Sequence, residues 1–161
     1  MMEIKLIQAS EGDLDTIAKL AKKIWNQYYT AIISQEQIDY MLTNMYSLDS
    51  LRSQINEKKH QFYFISSQNE AIGFISVHQE SSSAWFINKF YIDQRIAKKG
   101  IGTAAFQQLI QLIRAQKISL TVNRQNFKSI NFYFKNGFKI DHAADFDIGN
   151  PNDDYLGCVE D

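Results

Sequence analysis

The order of periodicities along this chain predicts an α/β (α+β) sandwich, in which helices pack on a mixed sheet. Three observations carry that expectation. Helical spacing dominates the stretch before Ile55, three strand patterns then follow one another between Gln61 and Ile92, and helix, strand, helix and strand alternate from Gly102 to Ile140. The chain has 161 residues, enough for one compact domain over 1–161, and shows no internal repeat or low-complexity linker.

Taken in order, Ile4–Gln8 alternates and reads as a first strand. Ser10 is an N-cap candidate with Asp13 as its capping-box partner. Leu14, Ile17, Ala18, Ala21 and Trp25 recur at helical spacing, so a helix runs to about Tyr28. Ser34 opens a second helix through Ile38, Met41, Leu42 and Met45, and Leu48, Leu51 and Ile55 suggest a short third. Gln61–Ser66 and Ala71–His78 are strands joined by a turn at Gln68-Asn69-Glu70. Ala84–Ile92 is the longest strand candidate. Gly102–Ala115 is helical, Ser119–Val122 a buried strand, and Phe127–Asn136 a helix ended by Asn136-Gly137. Phe138–Ile140 begins another strand. Tyr155–Val159 is a last one, whose pairing is expected to be incomplete or completed by a partner subunit.

Composition narrows the class. Apolar residues make up 45% and charged residues 22%, ordinary values for a globular chain. Cys158 is the single cysteine, which excludes an intrachain disulfide and fits a reducing compartment. No stretch approaches the length of a membrane-spanning helix, and the first residues do not read as a signal peptide, so a cytoplasmic protein without a membrane partner is expected. The charge is uneven. From Gln94 to Ile140 there is no Asp or Glu, yet Arg95, Lys98, Lys99, Arg114, Lys117, Arg124, Lys128, Lys135 and Lys139 fall there. They are spread through helix and strand patterns rather than packed in a tail, which favours a small phosphorylated ligand over nucleic acid.

The segment Phe90–Phe106 concentrates these signals. A strand ends near Ile92, a basic loop follows, and Gly100 and Gly102 lead into a helix. Free N–H groups and the dipole at a helix start favour an anion, and glycines let a ligand approach the backbone. A Walker A pattern is absent. Gly100-x-Gly102-x-x-Ala105 fits a relaxed dinucleotide fingerprint. However, the strand ends well before Gly100, and the acid expected about 20 residues on is missing. Nicotinamide binding therefore ranks a distant second.

At this point the chain resembles the GNAT N-acetyltransferase superfamily. Ala97-Lys98-Lys99-Gly100-Ile101-Gly102 is similar to the family's pyrophosphate loop, Arg/Gln-x-x-Gly-x-Gly/Ala. Ala97 stands where Arg or Gln is usual, with Arg95 two residues earlier. A second segment, Asn126-x-x-Ser129-Ile130-x-Phe132-Tyr133-x-x-x-Gly137-Phe138, resembles the family's Asn-x-x-Ala-Ile-x-Phe-Tyr-x-x-x-Gly-Phe. The resemblance covers Ile4 to about Ile140. It implies a mixed, mostly antiparallel central sheet with helices on both faces, and acetyl-coenzyme A (acetyl-CoA) as cofactor.

It also implies roles for named residues. The loop Ala97–Gly102 and Thr103 would take the phosphates. Backbone groups of Phe90, Tyr91 and Ile92 would bond the pantetheine and the thioester carbonyl, in a gap where the strand through Ile92 splays from Ser119–Asn123. Asn126 would bond cofactor amides or simply cap its helix, with Ser129 beside it. Tyr133 would protonate the leaving thiolate, a role open to a phenol that is protonated at neutral pH. Many relatives carry a basic carboxylate on the central strand, and Trp85–Tyr91 holds none. Asn88 positioning a water, His78 and Glu80 are the alternatives.

On the acceptor side, Tyr28 and Tyr29 end the first helix and are read as lining the cleft with Asn88. Trp25 reads better as sheet packing. An aromatic wall holds an amine by cation–π contact, and the acidic segment with Asp145, Asp147, Asp153 and Asp154 is either a solvated loop or an attraction for a cationic acceptor. No metal site is expected, and a homodimer is a family-level expectation. The implied activity is direct attack of a primary amine of a small molecule or peptide on the thioester. A coenzyme A-binding regulatory module without turnover is the alternative.

Overall fold

The computed structural model describes residues 3–31, 33–96, 100–123, 126–145 and 154–160; for Tyr28, Asn123, 141–145 and 154–160 it describes the backbone alone. A seven-stranded sheet forms the middle layer: β1 (Lys5–Gln8), β2 (Gln61–Ser67), β3 (Glu70–Gln79), β4 (Ala84–Ile92), β5 (Lys117–Asn123), β6 (Phe138–Asp145) and β7 (Asp154–Glu160), in the order β1-β2-β3-β4-β5-β7-β6. Every neighbouring pair is antiparallel except β4 and β5.

The helices divide between the faces. α1 (Leu14–Tyr28), α2 (Gln35–Tyr46) and α3 (Leu48–Asn56) cover one, and α4 (Ile101–Ile113) and α5 (Phe127–Lys135) the other. Period-two alternation on β2 feeds both layers. Phe62 and Phe64 join the core under α1–α3, and Tyr63 and Ile65 join the core under α4 and α5. In α1, Ile17, Ala21 and Ile24 are fully buried, one stripe at helical spacing.

Local signals set the boundaries. The Asp13 carboxylate accepts from the Ser10 N–H at 2.9 Å, ahead of a 3-10 turn at Glu11–Asp13 that runs into α1. Ser34 and Ser47 cap α2 and α3, their hydroxyls accepting from the N–H of Gln37 and Ser50. Gln68 and Asn69 both take positive φ, as a two-residue hairpin turn requires. The expectation for the last strand is corrected. β7 pairs within the chain on both sides, with β5 from Ile118↔Glu160 to Asn123↔Tyr155 and with β6 from Phe138↔Glu160 to Asp145↔Asp154. Sequence order hid this, because β7 inserts between two strands that precede it.

The β4 exit is clamped to α1. Asp93 is 1% exposed. Its carboxylate pairs with Lys23 at 2.8 Å and Arg95 at 3.3 Å and accepts from Gln27 at 3.0 Å. The Gln27 carbonyl oxygen in turn accepts from the Gln94 N–H at 2.8 Å. Burial pushes the Asp93 carboxyl up, but hydrogen bonds from Lys23, Arg95 and Gln27 outweigh it and hold the group well below its ordinary 3.8. A depressed folded pKa adds stability above the unfolded value and loses it as pH falls through the folded one. Asp93→Asn is therefore expected to lower stability by ~1–2 kcal/mol at pH 7, because its cationic partners are largely solvated. The deficit should narrow below about pH 4, as read by urea midpoints at both pH values.

Candidate active site

β4 and β5 pair only from Ala84↔Lys117 to Ile87↔Leu120. Beyond that point β4 continues to Ile92 and β5 to Asn123 without a ladder between them. The parted strands leave unbridged backbone groups facing a gap. A cavity of about 520 Å³ passes through it. Trp25, Tyr29, Met41 and Met45 line its α1–α2 side, Phe86–Tyr91 form its β4 wall, and Leu120–Val122, Asn126, Ser129 and Tyr133 line its far side.

A bulge shapes the β4 wall. Ser76 pairs with Lys89 and Val77 with Ile87, so Asn88 is the extra residue. The bulge reverses the alternation. Trp85 and Ile87 point to the α4–α5 core, but so does Phe90, while Lys89 and Tyr91 turn to the α1–α3 side.

The residues expected to take the phosphates divide. Gly100 caps α4 with φ +97°, a left-handed conformation that favours glycine, and a Cβ there would meet nothing within 4 Å. Gly102 is a glycine for another reason: a Cβ would fall 2.8 Å from the Phe132 ring, so the residue lets α4 approach α5. The first-turn N–H groups of Ile101, Gly102 and Thr103 have no helical carbonyl to bond, and that turn carries no acid. These residues do not line the cavity, nor does Ile92, which is buried in the core. Ala97, Lys98 and Lys99 lie outside the described residues.

On α5, the Asn126 side chain accepts from the Ser129 N–H at 3.2 Å and caps the helix while lining the cavity. Tyr133 is 7% exposed and also lines the cavity. The rings of Phe132 and Phe138 lie 5.3 Å from its own, and Phe90 lies edge-on at 6.5 Å. Of the three consecutive aromatics, Phe134 is exposed and Phe132 is half-buried. Only Tyr133 reaches the cavity.

The opposite side is aromatic. The Trp25 and Tyr29 rings are 4.5 Å apart, Trp25 and Tyr91 are 5.8 Å apart, and the Tyr29 and Tyr91 hydroxyls are 3.1 Å apart. Burial pushes the Tyr91 phenol well up. Trp25 both packs on the sheet and faces the cavity, its indole N–H donating to the Tyr46 hydroxyl at 3.2 Å. The Tyr28 side chain lies outside the described residues.

Asn88 lines the cavity, and its Oδ1 lies 2.8 Å from His78 Nδ1. The His60 ring stacks on His78 at 5.0 Å. Glu80 points elsewhere, accepting from Ser119 Oγ at 3.3 Å, and does not line the cavity.

Nothing in the β4 sequence pattern singles out Lys89. Its Nζ donates to the Gln54 carbonyl oxygen at 2.7 Å and lies 5.4–5.5 Å from the Phe62 and Tyr46 ring centres. The residue is 4% exposed, and no carboxylate pairs with it among the described residues. Burial pushes the ammonium down to about 7, helped by the charge of Lys58. Burial pushes His60 down to about 4, with Lys89, His78 and Lys58 adding to it.

In the unfolded chain Lys89 stays protonated to about 10.5, so between pH 7 and 10.5 folding releases a proton and stability rises with pH. Lys89→Met, close in volume, removes that dependence. Its stability relative to wild type is expected to fall by up to ~1.4 kcal/mol per pH unit from pH 7 upward, measured by urea midpoints at pH 6.5 and 9.

The acetyltransferase (GNAT) family model matches residues 19–138. A spermidine N(1)-acetyltransferase of Thermoplasma acidophilum is 27% identical over 154 residues, covering 91% of this chain and 95% of that one. A peptidyl-lysine N-acetyltransferase, YjaB, of Salmonella typhimurium is 29% identical over 113 residues, covering 68% and 73%. Among solved structures, the PaiA N-acetyltransferase of Thermoplasma acidophilum in complex with coenzyme A superposes with a TM-score of 0.81 at 25% identity, covering 99% of both chains. The chain belongs to the acetyltransferase (GNAT) family. The mixed sheet with helices on both faces agrees with that membership. Among the described residues no helix is long and apolar enough to cross a membrane, and no cluster of three metal-ligating side chains occurs.

Proposed function

We propose that this protein transfers the acetyl group of acetyl-CoA to a primary amine of a small molecule or peptide, by direct attack in a ternary complex. The observation that carries the reading is the cavity through the parted sheet, which joins an aromatic wall on α1 to Tyr133 on α5. Family membership and relatives named as amine acetyltransferases support it.

The residues present fit the coenzyme. The first turn of α4, at Ile101–Thr103, offers an anion its unbonded N–H groups, with Lys98 and Lys99 preceding it in sequence. Past Ile87, the β5-facing edge of β4, with Phe90, Tyr91 and Ile92, has no strand partner there and offers backbone groups to an amide-bearing chain. Asn126 and Ser129 border the same gap. Bound acetyl-CoA supplies the activated thioester. Backbone N–H groups at the bulge stabilise charge developing on the carbonyl oxygen. Tyr133 donates its phenolic proton to the departing thiolate. A water positioned by Asn88 carries the amine proton out to solvent, because β4 has no carboxylate in the wall.

The test is thiol release from acetyl-CoA over a panel of primary amines, beside calorimetric titration of coenzyme A. Acceptor-dependent release is expected. Coenzyme binding without release for any acceptor would instead assign a regulatory module, and no binding would remove both readings.

A further inference from the structure

The acceptor side of the cavity is built from Trp25, Tyr29, Met41, Met45 and Phe86, and the charged side chain among the lining residues is Lys89. None of the described lining residues is an Asp or Glu. We propose that the acceptor is a primary monoamine carried on an aromatic or branched apolar body, and that polyamines are disfavoured by a wall whose described residues are mainly apolar, include a lysine and hold no carboxylate. The proposal rests on the acetyltransferase reading above and names the substrate class of the same site.

A polyamine places a second ammonium a few methylenes from the reacting nitrogen. Inside this cavity that cation would lose its hydration against thioethers and rings, with no counter-charge among the described lining residues to replace it. Cation–π contact offers only partial compensation. Here the rings already serve one another: Trp25 packs on Tyr29 and Tyr91, and the Tyr46 and Phe62 faces hold Lys89. The groups around Lys89 add no negative charge. Gln54 comes from α3 and Tyr46 from α2, while His60, His78 and Lys58 contribute positive or neutral groups. An apolar amine body meets the opposite situation, since each group it buries replaces water on the half-buried Tyr29, Met45 or Phe86. The inference departs from the polyamine acceptor named for the Thermoplasma acidophilum relative, at 27% identity.

The experiment compares kcat/KM for 2-phenylethylamine, isopentylamine and spermidine at saturating acetyl-CoA, for the wild type and Met45→Glu. At least one monoamine is expected to exceed spermidine tenfold or more. Met45 is half-buried, so a carboxylate there keeps solvent contact, and the variant should shift the ratio at least tenfold towards spermidine. Should Met45→Glu fail to fold, Lys89→Gln takes its place, compared with wild type at pH 6.5, where the Lys89 ammonium is still largely protonated, with a several-fold shift in the same direction. Spermidine turned over as well as both monoamines, or a ratio unmoved by either folded variant, overturns the proposal. Release with none of the three amines, while a different amine works, also overturns it. Release with no amine at all removes the acetyltransferase reading. Titration of the three amines into the coenzyme complex then decides: spermidine binding as tightly as the monoamines, or none binding, sinks the proposal on its own terms.

Discussion

Tyr133→Phe is expected to lower kcat about 10²-fold while changing the KM for acetyl-CoA by less than about twofold, the scale of a lost general acid. The phenol is the ionisable group that α5 brings into the cavity, and its ring is fixed by Phe90, Phe132 and Phe138. Phenylalanine keeps that packing and removes only the hydroxyl, so the variant should fold and bind coenzyme A. A burst experiment in the presence of a good acceptor separates chemistry from product release. Turnover within a few-fold of wild type would take the acid role away from Tyr133. An equal loss in coenzyme affinity would make it a packing residue instead.

Gly73→Ala should cost about 3 kcal/mol, the upper part of the range for overpacking. Gly73 pairs with Ile92, the last residue of β4. A Cβ at Gly73 would fall 2.3 Å from the Tyr91 carbonyl oxygen and 3.0 Å from the Ile92 Cα. Both atoms are backbone, so no rotamer change relieves the contact. Relief requires the end of β4 to move, and that segment is anchored by the Asp93 N–H donating to the Ile72 carbonyl at 2.7 Å and by the Asp93–Lys23 pair. The same strand forms the cavity wall, so surviving folded protein should also lose acetyl transfer. Urea midpoints with an unchanged m-value measure the first effect and thiol release the second. Gly102→Ala is the control. Its Cβ meets the edge of the half-buried Phe132 side chain, which can rotate aside, so a cost of only about 1 kcal/mol is expected.

Much of the frame was legible without coordinates. Helical stripes such as Ile17, Ala21 and Ile24, alternation at Phe62–Ile65, serine caps at Ser34 and Ser47, and the Gln68-Asn69 turn are all signals confined to a few neighbouring residues. The strand-loop-helix at Gly100 and the Asn126–Phe138 segment are equally local, so they marked the family. Tyr133 could be singled out from its neighbours only through the motif. The structure separates it from Phe132 and Phe134 by burial and direction.

The α1–α3 side of the cavity was legible only in part. Lys89 stayed hidden because strict alternation assigns it to the face of Trp85 and Ile87. The bulge at Asn88 turns it to the other one, and a bulge is a property of two paired strands rather than of either alone. The Asn88–His78 contact, the Gln54 cradle of Lys89 and the insertion of β7 between β5 and β6 join residues distant in sequence. By itself the sequence determined the elements, the glycine that opens α4 and the family, because each is written in short-range spacing. Only the tertiary structure decided where the sheet parts and which side chains meet across the gap. Register, burial and desolvation exist only once distant strands have paired.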